Sequence, residues 1–219
     1  MKELLLILGI CMIFFLASGQ NKIYTRSGFG LSAAKTFFEE YDSYSDNLIH
    51  ANLNGGFNLQ IGKKNALQTE LQFSRKGYVY KVFNFFDEEK IFPKMEIYYA
   101  SLNGLLKTEI LFAKKRKTYG PWLSVLSGFQ LSRNIYSKWR YANIIERKAD
   151  DTIKAFDFSV IAGICLDKKI DNRQHVGFDL RYTHGVYNVV SQRGFKTQLR
   201  SIDFGFYYYW ILKNRNLKK

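Results

Sequence analysis

The 219-residue sequence predicts an all-β fold, an eight-stranded antiparallel up-and-down transmembrane β-barrel. Three observations predict it. Apolar and polar residues alternate in short runs from Gln20 onward, no second long apolar run or helical stripe follows the first twenty residues, and the connections alternate between short and long. The composition bounds the answer: 47% hydrophobic residues exclude disorder as the main state, and 2 prolines exclude a Pro-rich linker.

The first element is an address. Lys2 opens it, Leu4 to Leu16 is almost wholly apolar, and Ala17-Ser18-Gly19 places small residues before a cut ahead of Gln20. The run is shorter than the ~20 residues a spanning helix needs. Cys11 follows Ile10 inside the apolar run, which excludes a lipoprotein site. The expected division is residues 1–19 as signal peptide and 20–219 as barrel. Cleavage leaves Cys165 as the one cysteine, expected as a small buried side chain.

The strands follow in order. Tyr24 to Ala33 is a weak first one. Ala51, Leu53, Phe57, Leu59 and Ile61 alternate with Asn52, Asn54, Gly56, Asn58 and Gln60 in the second. Leu67, Leu71 and Phe73 alternate with Gln68, Glu70, Gln72 and Ser74 in the third. Glu96 to Phe112 and Tyr119 to Arg133 fit the template more loosely. Phe156 to Asp167, Val176 to Thr183 and Ser201 to Leu212 alternate cleanly and complete the set. Short turns are expected near Lys63–Asn65, Lys114–Thr118 and Asp167–Asn172. Longer loops are expected over Lys35–Asn47, Lys81–Lys94, Asn134–Thr152 and Tyr187–Thr197. An even strand number puts both termini on the short-turn side, the periplasm of an outer-membrane barrel.

Alternation alone does not say which face meets lipid. The polar face holds the small residues Gly56, Gly128, Gly163, Gly177, Gly185 and Gly205, and an eight-stranded barrel has room inside only for side chains. The polar face is therefore assigned to the lumen. Arg26, Glu70, Lys107, Glu109, Asp157, Asp179, Arg181 and Asp203 share it and are expected as one paired, buried network, since unpaired buried charges are costly. Two aromatic girdles are expected. Tyr78, Tyr80, Tyr98, Tyr99 and Tyr182 form one toward the loops; Tyr119, Trp122 and Tyr207-Tyr208-Tyr209-Trp210 form the other toward the turns.

The net charge of +14 is concentrated at the turns and tail. Lys63, Lys64, Lys114, Lys115, Arg116, Lys117, Lys168 and Lys169 form a basic rim with Lys213, Arg215, Lys218 and Lys219, against Asp167 and Asp171 alone. Such a rim reads as a surface for lipid headgroups or for an acidic partner on the periplasmic side. Export and membrane embedding argue against nucleic acid as the partner.

Catalytic, cofactor-binding and metal residues are not expected. Gly28-Phe-Gly-Leu-Ser-Ala33 matches a dinucleotide fingerprint on paper but has no βαβ unit around it. His50 and His184 fall on strands three apart around the ring, too far to ligate one metal. His184 beside Thr183 is the one candidate for lipid-modifying chemistry at the outer rim.

With these residues in place, the chain resembles the PorT-like outer-membrane β-barrel proteins of the Bacteroidetes. The resemblance is carried by Leu67-Gln-Thr-Glu-Leu-Gln-Phe-Ser-Arg-Lys-Gly77, by Gly177-Phe-Asp-Leu-Arg-Tyr-Thr-His-Gly185 and by Asp203-Phe-Gly-Phe-Tyr-Tyr-Tyr-Trp210. It implies an eight-stranded barrel and, for one member of the family, an accessory role in type IX secretion. Lys213 to Lys219 extend past the last aromatic, where such proteins often end. The function expected is that of a non-enzymatic integral outer-membrane barrel without cofactors. It would be an envelope structural or accessory component, with outer-membrane lipids and a secretion-machine protein as candidate partners. The alternatives are an outer-membrane lipid-modifying enzyme and a secreted soluble ligand-binding barrel.

Overall fold

The computed structural model describes residues 22–38, 48–61, 64–79, 94–111, 121–141, 145–148, 153–171, 173–187 and 197–214. The expected signal peptide, and much of the expected loops, lie outside them. Among the described residues nine strands are formed: β1 (Lys22–Phe38), β2 (Leu48–Gln60), β3 (Asn65–Val79), β4 (Lys94–Leu111), β5 (Pro121–Tyr141), β6 (Ile145–Lys148), β7 (Phe156–Lys169), β8 (Gln174–Gly185) and β9 (Thr197–Asn214). Eight of them close a ring in the order β1-β2-β3-β4-β5-β7-β8-β9, with β9 pairing back onto β1 and every pairing antiparallel. β6 only extends the far end of β5 as a short hairpin.

The register sets the shape. The cross-strand path from Tyr24 runs through Asn58, Gln68, Leu105, Gly128, Ile161, Thr183 and Ser201 and rejoins β1 at Ala34, ten residues above its start. That stagger over eight strands tilts them by about 40° from the barrel axis, at ~3.3 Å per residue and ~4.8 Å between strands. The shortest strand of the ring, β8, has 12 residues. A tilted bilayer crossing needs ~9–11, so every strand is long enough.

The polarity is inverted relative to a soluble barrel. Phe29, Leu53 and Phe73 are 62%, 63% and 57% exposed, and Leu31, Phe129, Phe178, Phe204 and Phe206 share that outer face. Inside, Asn52, Gln68, Glu70, Gln72, Asn103, Gln130, Asp179 and Arg181 are buried. The closed eight-stranded barrel with its polar face inward is thus the architecture the alternation encodes.

Several boundaries differ from the sequence reading. β1 continues past Lys35, and β5 continues to Tyr141, turning back through β6 where a loop was expected over Asn134–Thr152. There the outward positions become polar, so the alternation fades while backbone pairing continues. Irregularities at Tyr98/Tyr99 and Glu109/Leu111 also shift the β4–β5 register.

The girdles are corrected too. Tyr98, Tyr136, Tyr182 and Trp210 face outward, but Tyr99, Tyr207 and Tyr209 are buried. Tyr207 and Tyr209 share parity with Gly205, and Trp122 shares it with buried Ser124, so these three rings point into the lumen. Tyr80 and Tyr119 lie outside the described residues, as does the side chain of Tyr78.

Candidate functional site

The interior is built in layers along the inward positions of eight strands. At its centre Arg26 of β1 and Arg181 of β8 face Glu70 of β3 and Asp179 of β8. Arg26 pairs with Glu70 and donates from Nη2 to Asp179 Oδ2 at 2.7 Å. Arg181 donates from Nη1 and Nη2 to the two Glu70 oxygens at 2.7 and 2.9 Å, and from Nη2 to Asp179 Oδ2 at 2.6 Å. Two charges of each sign cancel, and each carboxylate serves both guanidinium groups. Bidentate arginine–carboxylate geometry is the strong form of such a pair. The cluster ties β1, β3 and β8 together through the lumen rather than around the wall.

Aromatic rings bed the cations. The Arg26 guanidinium carbon lies 3.2 Å from the Tyr207 ring centroid, and that of Arg181 lies 5.3 Å from it. Cation–π contacts of this kind gain strength when water is excluded. Tyr207 fits because Gly28 and Gly205 have no side chains: a Cβ at either would collide with its ring.

Around this centre the other expected lumen charges fall into separate groups rather than one network. Lys107 of β4 pairs with Asp167 of β7 at 2.5 Å, with Tyr209 beside it and the Cys165 thiol 3.4 Å from the same carboxylate oxygen. Asp167, assigned by the sequence reading to the rim, is therefore interior, because it keeps the parity of Cys165 along β7. Asp157 accepts from Ser159 at 3.3 Å, and Asp203 accepts from Thr183 and Ser201 at 3.1 Å each. Glu109 is half-buried on β4 opposite Ser124.

Between the centre and the loop end lies an amide layer that the sequence reading did not single out. Gln130 donates to Gln72 at 3.1 Å and to Asn103 at 2.9 Å, Asn103 donates to Gln72 at 2.9 Å, and Lys76 donates to Gln130 at 3.0 Å. Shared parity with Glu70 is the signal that would have found Gln72 and Lys76. The loop end of the interior is apolar, with Met95, Ile97, Tyr99, Ile153 and Leu199 packed together against Trp139. At the turn end the His175 ring meets Tyr24 at 5.2 Å and Trp122 at 5.3 Å.

The remaining candidates separate. Thr183 points inward to Asp203, whereas His184 points outward, 3.4 Å from the Tyr182 hydroxyl. Neighbours on a strand face opposite ways, so the two do not form a joint site. Among the described residues no three His, Cys, Asp or Glu side chains come together as metal ligands. Of the expected rim, Lys64 and Lys168 are exposed and Lys169 is half-buried at the turn end; Lys63, Lys114, Lys115, Arg116 and Lys117 lie outside the described residues.

This geometry defines a class: a closed antiparallel barrel with a charged, braced lumen and an apolar outer wall. Solved structures share the fold. The outer membrane protease OmpT from Escherichia coli aligns over 89% of this chain and 98% of its own, at a TM-score of 0.50 and 9% identity. Neisserial surface protein A aligns over 86% and 96%, at 0.45 and 12%. Ail of Yersinia pestis, in complex with the heparin analogue sucrose octasulfate, aligns over 87% and 100%, at 0.43 and 11%. No protein-family model matches the chain, and no curated protein matches it in sequence.

Proposed function

We propose that this chain is an integral, non-enzymatic β-barrel protein of a bacterial outer membrane, serving as a structural or accessory component of the envelope. The observation that carries this reading is the inverted polarity of a closed barrel. A wall of exposed Phe, Leu and Ile in water would be a large aggregation liability, whereas in lipid it is the solvated face. A soluble ligand-binding barrel would turn those residues inward. The expected signal peptide supports export. The braced lumen argues against a pore, and the opposite orientations of Thr183 and His184 argue against the lipid-modifying chemistry considered for them.

Membrane fractionation tests the reading. The mature chain should sediment with outer membranes, resist carbonate extraction and migrate faster on gels when unheated than when boiled. Recovery as a soluble periplasmic protein would refute it.

A narrower reading makes the chain a secretion-machine accessory of the PorT-like kind. It is favoured by the gathering of Lys64, Lys168 and Lys169 at one end with Lys22 and Asn214, the outer ends of β1 and β9. Its test is salt-dependent co-purification with an acidic periplasmic partner, and loss of cargo secretion on gene deletion.

A further inference from the structure

Between the balanced centre and the long loops, the inward face of the wall carries unequal charge. Among the described residues its charged side chains there are Lys76 of β3, Asp157 of β7 and Asp203 of β9, all buried. One is positive and two are negative. Lys76 is held by Gln130 at 3.0 Å, beside the Tyr99 ring. Arg181 lies across from Asp203 in the β8–β9 register but is engaged by Glu70 and Asp179. Asp203 is left with hydroxyl donors: Oδ2 accepts from Thr183 and Ser201, and the buried Oδ1 has no hydrogen-bond partner. A buried carboxylate without a countercharge is costly to the fold.

Further oxygens surround that carboxylate. Ser32 of β1 lies directly across from Asp203, and its Oγ, on a residue 0% exposed, also has no partner. Beside Ser32 the inner face of β1 is bare. Gly30 faces Asn52 of β2, whose Oδ1 lies 2.8 Å from where a Cβ on Gly30 would stand. Asn54 Oδ1 holds the equivalent place over Gly28 and is likewise unpartnered. The rest of this tier is walled by small side chains: Ser74 across from Asn52, and Ser101 bonded to Ser132 at 2.9 Å. Large side chains just fill an eight-stranded interior, so serines leave room at its middle. Carboxylate, hydroxyl and amide oxygens together are the donor set of a hard cation. One carboxylate among neutral oxygens balances one positive charge, whereas calcium sites gather several carboxylates.

We propose that the loop-side half of the lumen binds a monovalent alkali cation, sodium or potassium, held by Asp203 Oδ1, Ser32 Oγ and the Asn52 amide oxygen. The ion evens the charge of this tier. It also ties β9, β1 and β2 together from inside, at the seam where the last strand closes onto the first.

The test uses the full mature chain refolded in zwitterionic detergent with sodium, potassium or N-methyl-D-glucamine chloride. Ionic strength is held equal, so that screening is constant, and pH is held at 8, so that His50, across from Ser32, carries no charge. Folding is scored first, by the faster migration of unheated samples. The parent's melting midpoint should rise by about 3–6 °C in either alkali salt over the organic one and saturate with concentration, as expected for a roughly tenfold excess over the dissociation constant. D203N keeps the shape of the carboxylate and loses its charge. It should melt at or above the parent in the organic salt, below the parent in sodium, and equally in both salts. A purely structural Asp203 would lower the midpoint in both. S32A should need about tenfold more sodium for the same shift. Equal parental midpoints in the three salts would overturn the proposal. So would an undiminished sodium response in D203N or, if D203N does not fold, in S32A. A larger shift that saturates with millimolar calcium chloride would overturn it too, by making the site one for divalent ions.

Discussion

Inside the barrel, Arg26 and Arg181 face Glu70 and Asp179, two charges of each sign, all buried. On the outer wall, Arg75, Lys94 and Lys138 pair with Glu96. The two clusters use similar residue types in different settings: the central guanidinium groups are buried, whereas Arg75 and Lys94 reach solvent. At the centre of the lumen the sequence supplies both signs itself, each guanidinium meeting a carboxylate. At the edge of the wall the cations reach solvent, where mobile ions screen them. Exposure, rather than charge density, separates the two clusters here.

The largest effect should come from unbalancing the lumen. Arg181→Met leaves Glu70 and Asp179 to share Arg26, and removing one partner from a buried charged network costs about 3–5 kcal/mol. Urea unfolding of the refolded protein, followed by tryptophan fluorescence, would measure it. A loss below about 1 kcal/mol would show that water reaches these groups.

Next comes a charge placed where the wall has none. Phe204→Arg, near the middle of β9, should cost roughly 2–4 kcal/mol and slow insertion into vesicles, because the guanidinium meets lipid at mid-depth. Insertion at the parental rate would mean that the outer face is wrongly assigned.

Gly205→Val probes the bed of the brace rather than its charges. The new side chain would displace the Tyr207 ring and, with it, the surface on which Arg26 stacks. Overpacking of this kind costs about 1–3 kcal/mol. The double variant Gly205→Val with Tyr207→Ala should regain part of the loss, and the absence of any recovery would break the link.

The smallest effect should follow Glu96→Gln. Its partners Arg75 and Lys94 reach solvent, so stability should fall by no more than about 1 kcal/mol. Raising salt should change the outer cluster's contribution and leave that of the lumen nearly untouched, since screening acts on solvated charges. A cost for Glu96→Gln as large as that for Arg181→Met would erase the distinction between the two clusters.

The parts legible in the sequence were those governed by parity. Arg26, Glu70, Asp179 and Arg181 read as inward because they share the polar face with small residues such as Gly56, Gly163, Gly177 and Gly205, which fit a narrow lumen. The girdle residues were harder. Tyr207-Tyr208-Tyr209-Trp210 is aromatic on both faces, so composition suggested an interface while parity with Asp203 and Gly205 put two of the four rings inside. Asp167 looked like a turn residue because Lys168 and Lys169 follow it, yet β7 runs on through all three. Lys94, Glu96 and Lys138 were not picked out at all. Their convergence depends on β4 and β5 pairing beyond the apolar zone and across the irregularity at Tyr98/Tyr99, which no local pattern announces.

The ring closes where Lys22 to Phe38 meets Asn214 to Thr197, the first described strand against the last. Until β9 exists as a chain segment, β1 is a sheet edge with unpaired backbone groups and an apolar face, the kind of edge that recruits strands from other molecules. Contacts of such sequence separation are also the slowest to form. A newly made chain is therefore an open, adhesive sheet until its last strand pairs with its first, and a chain truncated before β9 would lack the strand that closes this ring. The C-terminal strand is in this sense the clasp, and damage to it would register as failed assembly rather than as a weakened protein.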